Sequence, residues 1–243
     1  VVILLFLIFL EGIANLGIVL HETLAAKQNQ WSRHHEHDSL LGWCGKPKFS
    51  EINYYGENKN LILNDQGFRN FNNAVPEKED SAIRIICSGD SFTFGYAVGN
   101  KQTWCSKLAE FDHRLETINM GYGGYGMDQV YLRYMRDGVA YQPDIQIFAF
   151  IAHDIIRMRS NRFQDVNFKP TLKIVDGKLE ADHVPVPQYP LSVKLMARNI
   201  LKIIHRLAIG RWLHKLMPRQ EKGARSLFEV FNSKKDVLSK MIV

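Results

Sequence analysis

Nine consecutive residues, Cys87-Ser88-Gly89-Asp90-Ser91-Phe92-Thr93-Phe94-Gly95, combine a nucleophile with a means of displaying it. They follow the apolar run Ile83-Arg84-Ile85-Ile86, which reads as a buried strand. A Gly-Asp-Ser turn at the end of such a strand lifts one hydroxyl clear of the sheet. The chemistry this suggests is nucleophilic attack by Ser91, because a serine becomes reactive only through its position and neighbours. A serine in a tight turn with no chemistry is the plain alternative. An α/β-hydrolase elbow would need Gly-x-Ser-x-Gly. Gly89 fits, but Thr93 stands at the second glycine position, which disfavours that fold.

Two further stretches could meet this turn: Asn119-Met120-Gly121-Tyr122-Gly123-Gly124-Tyr125-Gly126 and Phe150-Ile151-Ala152-His153-Asp154. The first contains Gly121-x-Gly123-x-x-Gly126, a dinucleotide-type spacing. Tyr122 and Tyr125 would crowd a phosphate there, and no acid follows about twenty residues on, so nicotinamide binding is disfavoured. The elements that position these stretches are strands over 83–88, 116–120 and 145–151, with helices over 103–111 and 128–141 between them and Asp128 as an N-cap. The third strand is apolar except for Gln146 and reads as buried on both faces. Strand–helix–strand–helix–strand implies a parallel, right-handed wound sheet. In such sheets the ligand site lies beyond the carboxyl ends of the strands, where all three stretches fall. A hairpin turning at Asp176-Gly177 follows, closed by Pro185, Pro187 and Pro190. Helical patterns run over 191–217 and from Leu227 onward.

The chain has 243 residues, 46% hydrophobic and 23% charged, enough for one α/β domain with appendages. It opens at Val1 inside an apolar segment and closes at Val243 within an amphipathic helical pattern, so it reads as a piece of a longer protein, truncated at both ends. Val1 to Leu20 is apolar except for Glu11 and Asn15, a length that spans a bilayer. The expectation is a transmembrane signal anchor over 1–21. A cleaved signal peptide and a buried core helix are the alternatives. Residues 22–80 then read as a polar linker and an extended lead-in, and 81–243 as the catalytic-type domain, with the hairpin and basic helix of 170–220 as an insertion. His34, His35 and His37 fall in the linker, where solvated side chains are favoured over a metal site. The net charge of +6 is local. Seven Lys or Arg and no acid lie between Pro190 and Gln220, leaving 24 basic and 25 acidic residues elsewhere. A nucleic-acid role therefore has little support. The basic helix suits core or cap packing, with a membrane surface or an acidic polysaccharide as the other readings. Cys44, Cys87 and Cys105 have no metal-ligand spacing. Cys87 reads as a small buried hydrophobe, and a Cys44–Cys105 disulfide is open.

The three stretches together resemble the first three sequence blocks of the SGNH (GDSL) hydrolase family. The lead-in residues Leu41-Gly42-Trp43 and Asn64-Asp65-Gln66-Gly67-Phe68-Arg69, with Val184-Pro185-Val186-Pro187, resemble its membrane-anchored bacterial members. The resemblance covers roughly residues 38 to 190. It implies a flavodoxin-like three-layer α/β sandwich on a parallel sheet, here partial, behind an N-terminal transmembrane helix. It implies Ser91 as nucleophile, Gly124 as an oxyanion-hole donor, His153 at the position where the family has its oxyanion asparagine, and Asp90 as support for the turn. No metal or cofactor is implied. The family's general base is the histidine of a late Asp-x-x-His, which occurs nowhere in these 243 residues. The expected activity is hydrolysis of O-acyl, in particular acetyl, esters, with a small ester or an acylated polysaccharide as substrate. The domain would lie on the periplasmic or extracellular side, held by residues 1–20. A non-catalytic carbohydrate-binding or exopolysaccharide-assembly protein on the same fold is the alternative.

Overall fold

The computed structural model describes residues 33–164, 167–188 and 227–241, with isolated positions between 6 and 17. The chain divides into two compact units, Val1–Arg33 with Gln188–Arg225 and His34–Pro187 with Ser226–Val243. All the elements below belong to the second. The basic helix expected over 191–217 lies outside the described residues.

The lead-in folds into two short antiparallel ribbons. β1 (His35–Asp38) pairs with β2 (Gly42–Gly45), and β3 (Ser50–Glu51) with β4 (Leu61–Ile62). Leu41, Trp43, Tyr54, Leu61, Leu63 and Phe68 from this stretch are buried. The stretch expected to be a linker is thus folded protein from His34 onward. His34 itself is not solvated. It is 3% exposed, shares a hydrogen bond with the Tyr54 hydroxyl at 2.8 Å, and stacks on Phe94 with ring centres 5.7 Å apart.

The central sheet has three parallel strands, β5 (Ile83–Gly89), β6 (Leu115–Asn119) and β7 (Ile145–Ala149), in the order β6–β5–β7. Side chains alternate across a strand, so β5 feeds two cores. Ile86 packs with Phe68, Ile118 and Met120. Ile85 and Cys87 pack with Cys105 of α2 (Trp104–Ala109), which Thr103 caps through Ser106 N at 3.2 Å. Before α2 comes α1 (Ser91–Phe94), and after β6 comes α3 (Met127–Arg133). The helix expected over 128–141 is continuous only in direction. α3 passes into a π-helical turn at Tyr134–Gly138 and a 3-10 turn at Val139–Tyr141. Its N-cap is Gly126 rather than Asp128. α4 (Ala152–Arg157) follows β7. β8 (Arg162–Phe163) pairs with β9 (Asn167–Phe168), and β10 (Thr171–Val175) with β11 (Lys178–Asp182). Asp176 and Gly177 turn the second hairpin with φ of 47° and 77°, the left-handed pair such two-residue turns need. The Val186 amide donates to Ser39 O, tying the end of this region back to the lead-in. A third core joins Met127, Ile155, Met158 and Leu172 to Val237, Leu238 and Met241 at the end of α5 (Leu227–Ser239).

Three expectations are corrected. The flavodoxin-like three-layer sandwich is replaced, among the described residues, by a mixed arrangement, one three-stranded parallel sheet with four separate two-stranded antiparallel ribbons. The aromatic and glycine-rich segments on either side of the α/β pattern pair with themselves rather than extend the sheet. β7, expected to be buried on both faces, is half-exposed along its length. The transmembrane helix is not supported. Among the described residues no helix is long and apolar enough to cross a membrane, and most of 1–21 lies outside them. Glu11 interrupts the apolar run, and a mid-bilayer carboxylate costs about 2.5–3.5 kcal/mol. The membrane attachment through 1–20 and the periplasmic or extracellular placement rested on that helix and fall with it. The three cysteines are free. Cys87 and Cys105 share one core, and burial pushes the half-buried Cys44 thiol up to about 12.

Candidate active site

β5 ends at Gly89 because the chain must turn there without a side chain. A Cβ on Gly89 would collide with the Thr93 hydroxyl and the Ala149 carbonyl. Asp90 then caps α1, accepting a hydrogen bond from Phe92 N through Oδ1 at 2.9 Å. Asp is a strong N-cap because its carboxylate satisfies an otherwise orphaned amide. Gly95 closes the turn in the left-handed region at φ 83° and donates to Ser91 O at 2.9 Å. Ser91 is the first residue of this single turn. It is half-buried, and among the described residues its hydroxyl has no hydrogen-bond partner.

The glycine loop lies against the same turn. The Tyr122 amide donates to Gly89 O at 3.0 Å, and Asn119 Nδ2 donates to Thr93 O at 2.8 Å. A Cβ on Gly121 would stand 2.5 Å from Phe94 N and 2.7 Å from the Thr93 carbonyl carbon, so only glycine permits this approach. Gly124 has φ 78°, and its missing Cβ leaves room for the Phe163 ring. The two tyrosine hydroxyls are tied to the lead-in. Tyr122 donates its hydroxyl to His34 O at 3.0 Å, and Tyr125 donates to Trp43 O at 2.7 Å. Burial pushes both phenols well up. Trp43 Nε1 in turn donates to Gly123 O at 2.9 Å, so the lead-in braces the loop.

The third stretch reaches the same edge of the sheet, since Ala149 lies in register with Gly89. Asp154 starts α4 by accepting from Ile151 N through Oδ2 at 2.9 Å. His153 is exposed in the first turn of α4, with no hydrogen-bond partner among the described residues. The structure thus brings Ser91, Gly124 and His153 to three neighbouring strand ends, without a hydrogen bond from His153 to Ser91.

Sequence reasoning missed what lies beneath. Arg157 Nη1 donates to Asp154 Oδ1 at 2.5 Å and to Tyr125 O at 2.9 Å, and forms a looser ion pair with Asp90 Oδ2 at 3.5 Å. The i, i+3 spacing of Asp154 and Arg157 on one helix was the available signal. Arg69, within the lead-in motif, is 2% exposed and donates to the carbonyls of Phe94, Gly95 and Val98 behind Ser91. Asp128 is buried against Lys169.

One guanidinium facing two buried carboxylates cannot neutralise both. Burial, and then the Asp90 charge, push Asp154 up to about 7 against the pull of the Ile151 amide and Arg157. In the unfolded chain this group ionises near 3.8. Folding therefore retains a proton that the unfolded chain has released, and stability falls as pH rises from about 4 to 7. Asp154→Asn removes the titration. Between pH 4.5 and 7.5 the variant should gain about 1–3 kcal/mol relative to wild type in urea unfolding. A stability difference that does not move with pH would contradict the assignment.

Comparison with models of known protein families finds no match for this chain, and comparison with curated proteins finds none either.

Proposed function

We propose that this chain is a serine esterase of the SGNH type, acting on O-acyl esters, with acetyl esters of carbohydrate as the substrate class. The observation that supports this reading is the Ser91 hydroxyl, without a hydrogen-bond partner among the described residues at the end of β5, on an Asp90-capped turn against which a glycine loop is pressed. In this reading Ser91 Oγ attacks the acyl carbon while a base takes its proton. The carbonyl oxygen becomes an oxyanion facing the amides of Ser91 and Gly124. Collapse expels the alcohol, which takes the proton, and leaves an acyl-serine. Water then attacks the acyl-serine, restoring Ser91 and releasing the carboxylic acid. Preorganised amide donors of this kind are each worth about 10²–10³ in rate. The base is assigned to no described residue.

Full-length protein should hydrolyse 4-nitrophenyl acetate, and Ser91→Ala should lower kcat by about 10³-fold or more. Equal rates in the two proteins would remove Ser91 from the chemistry. His153, exposed and without a hydrogen-bond partner among the described residues where the family resemblance expects an asparagine, favours a second reading, a non-catalytic carbohydrate-binding protein on the same scaffold. That reading gains if no turnover is seen while an acetylated oligosaccharide binds saturably.

A further inference from the structure

We propose that Arg157 is the positioning residue of this site, one guanidinium that holds the Ser91 turn, the glycine loop and the start of α4 in register. Its catalytic consequence rests on the esterase reading above; its structural one does not.

The three oxygens around Nη1 belong to three different strand ends. Asp90, beyond β5, caps the turn that carries Ser91. Tyr125 O, beyond β6, directly follows Gly124. Asp154, beyond β7, caps the turn that carries His153. The same guanidinium carbon lies 5.5 Å from the centre of the Phe163 ring, which packs on Gly124. Arg157 therefore touches the backbone or the cap of every stretch that bears a proposed catalytic group, and is the proposed actor in none. Gly126 makes room for it, since a Cβ there would stand 3.1 Å from Arg157 Cβ.

Exposed ion pairs contribute little, because water screens them and the side chains lose freedom. This one differs in being desolvated. The Arg157 side chain is 19% exposed, Asp90 is 2% exposed and Asp154 is fully buried. Without the cation, two buried carboxyl groups face each other across the Ser91 cap, and the Tyr125 carbonyl loses its donor. A group that acts through others in this way should affect the rate at which Ser91 reacts more than substrate affinity. Misplacement of a reacting group by about 1 Å typically lowers rate about 10²-fold.

The test compares full-length wild type, Arg157→Ala and Arg157→Lys by two readouts. In amide hydrogen exchange, Arg157→Ala should lose protection together in peptides covering 90–96, 121–127 and 150–155, while Arg157→Lys keeps most of it. In modification by a fluorophosphonate, the alanine variant should react about 10–100-fold more slowly at Ser91. Added guanidinium ion should restore part of that rate in the alanine variant and leave wild type unchanged. If Arg157→Ala unfolds, the lysine variant carries the same comparison with a cation retained. Exchange that rises only in 150–155, or an alanine variant that reacts at the wild-type rate, overturns the proposal. A wild-type Ser91 that never reacts counts against the esterase reading, and the exchange data then decide the role of Arg157 alone.

Discussion

Lys169→Met should destabilise the fold by about 3–5 kcal/mol, and adding Asp128→Leu to the same chain should restore most of the loss. Lys169 Nζ rests on Asp128 Oδ2 with both side chains fully buried, and it also donates to Pro170 O at 2.8 Å. Burial works against both charges, raising Asp128 and lowering Lys169, and each is opposed mainly by the other, with the Gln129 amide 2.9 Å from Asp128 Oδ1 and the Lys234 charge also favouring the carboxylate. Removing the lysine leaves an uncompensated buried carboxylate. Removing both charges leaves an apolar contact of similar volume, which is often neutral. The sign with pH follows. A carboxyl with a raised folded-state pKa loses stability as pH rises, so the Lys169→Met defect should be larger at pH 8 than at pH 5. Urea unfolding followed by circular dichroism measures both effects. A single-variant loss below about 1 kcal/mol would mean that the pair does not hold this region.

Arg69→Met should lower the melting temperature by roughly 10 °C, equivalent to about 3–5 kcal/mol. The guanidinium donates to Phe94 O at 2.7 Å, to Gly95 O, to Val98 O at 2.5 Å and to Asn100 Oδ1 at 3.3 Å. Methionine fills the space but leaves the Phe94 and Val98 carbonyls without a donor and Gly95 O with only the Val98 amide at 3.3 Å, and each orphaned group costs about 1–3 kcal/mol. The guanidinium carbon also lies 4.9 Å from the centre of the Phe94 ring. Burial draws Arg69 down to about 10, so it remains charged at neutral pH and the loss should not depend on pH between 6 and 8. These acceptors immediately follow Ser91, so the variant should also slow any reaction at that hydroxyl. Calorimetry on wild type and variant measures the first effect. A shift under about 3 °C would show that the loop closes without the arginine.

β5 and its turn were legible because an apolar run stops at Gly-Asp-Ser, and both the cap and the close approach at Gly89 are local requirements. The hairpin at Asp176-Gly177 was legible for the same reason. Asp128 was misread as a cap because local chemistry favours that role; a lysine 41 residues away supplies the partner that buries it instead. His34 sits in a polar window, and only tertiary contact with Phe49, Tyr54, Phe94 and Tyr122 makes it a core residue. The spacing of Asp154 and Arg157 marks a pair on one helix, but the contacts of Arg157 with Tyr125 and Asp90 span 32 and 67 residues and leave no local signal. The membrane helix was expected from an apolar run of bilayer length, and among the described residues no helix is long and apolar enough to cross a membrane.

The central claim is that the Ser91 hydroxyl is presented as a nucleophile. Incubating the full-length chain with a fluorophosphonate and mapping the adduct by peptide mass tests it most directly. The expected result is one phosphonylated residue, Ser91, with no adduct in Ser91→Ala. An unmodified Ser91, or equal modification of both proteins at another residue, would contradict it.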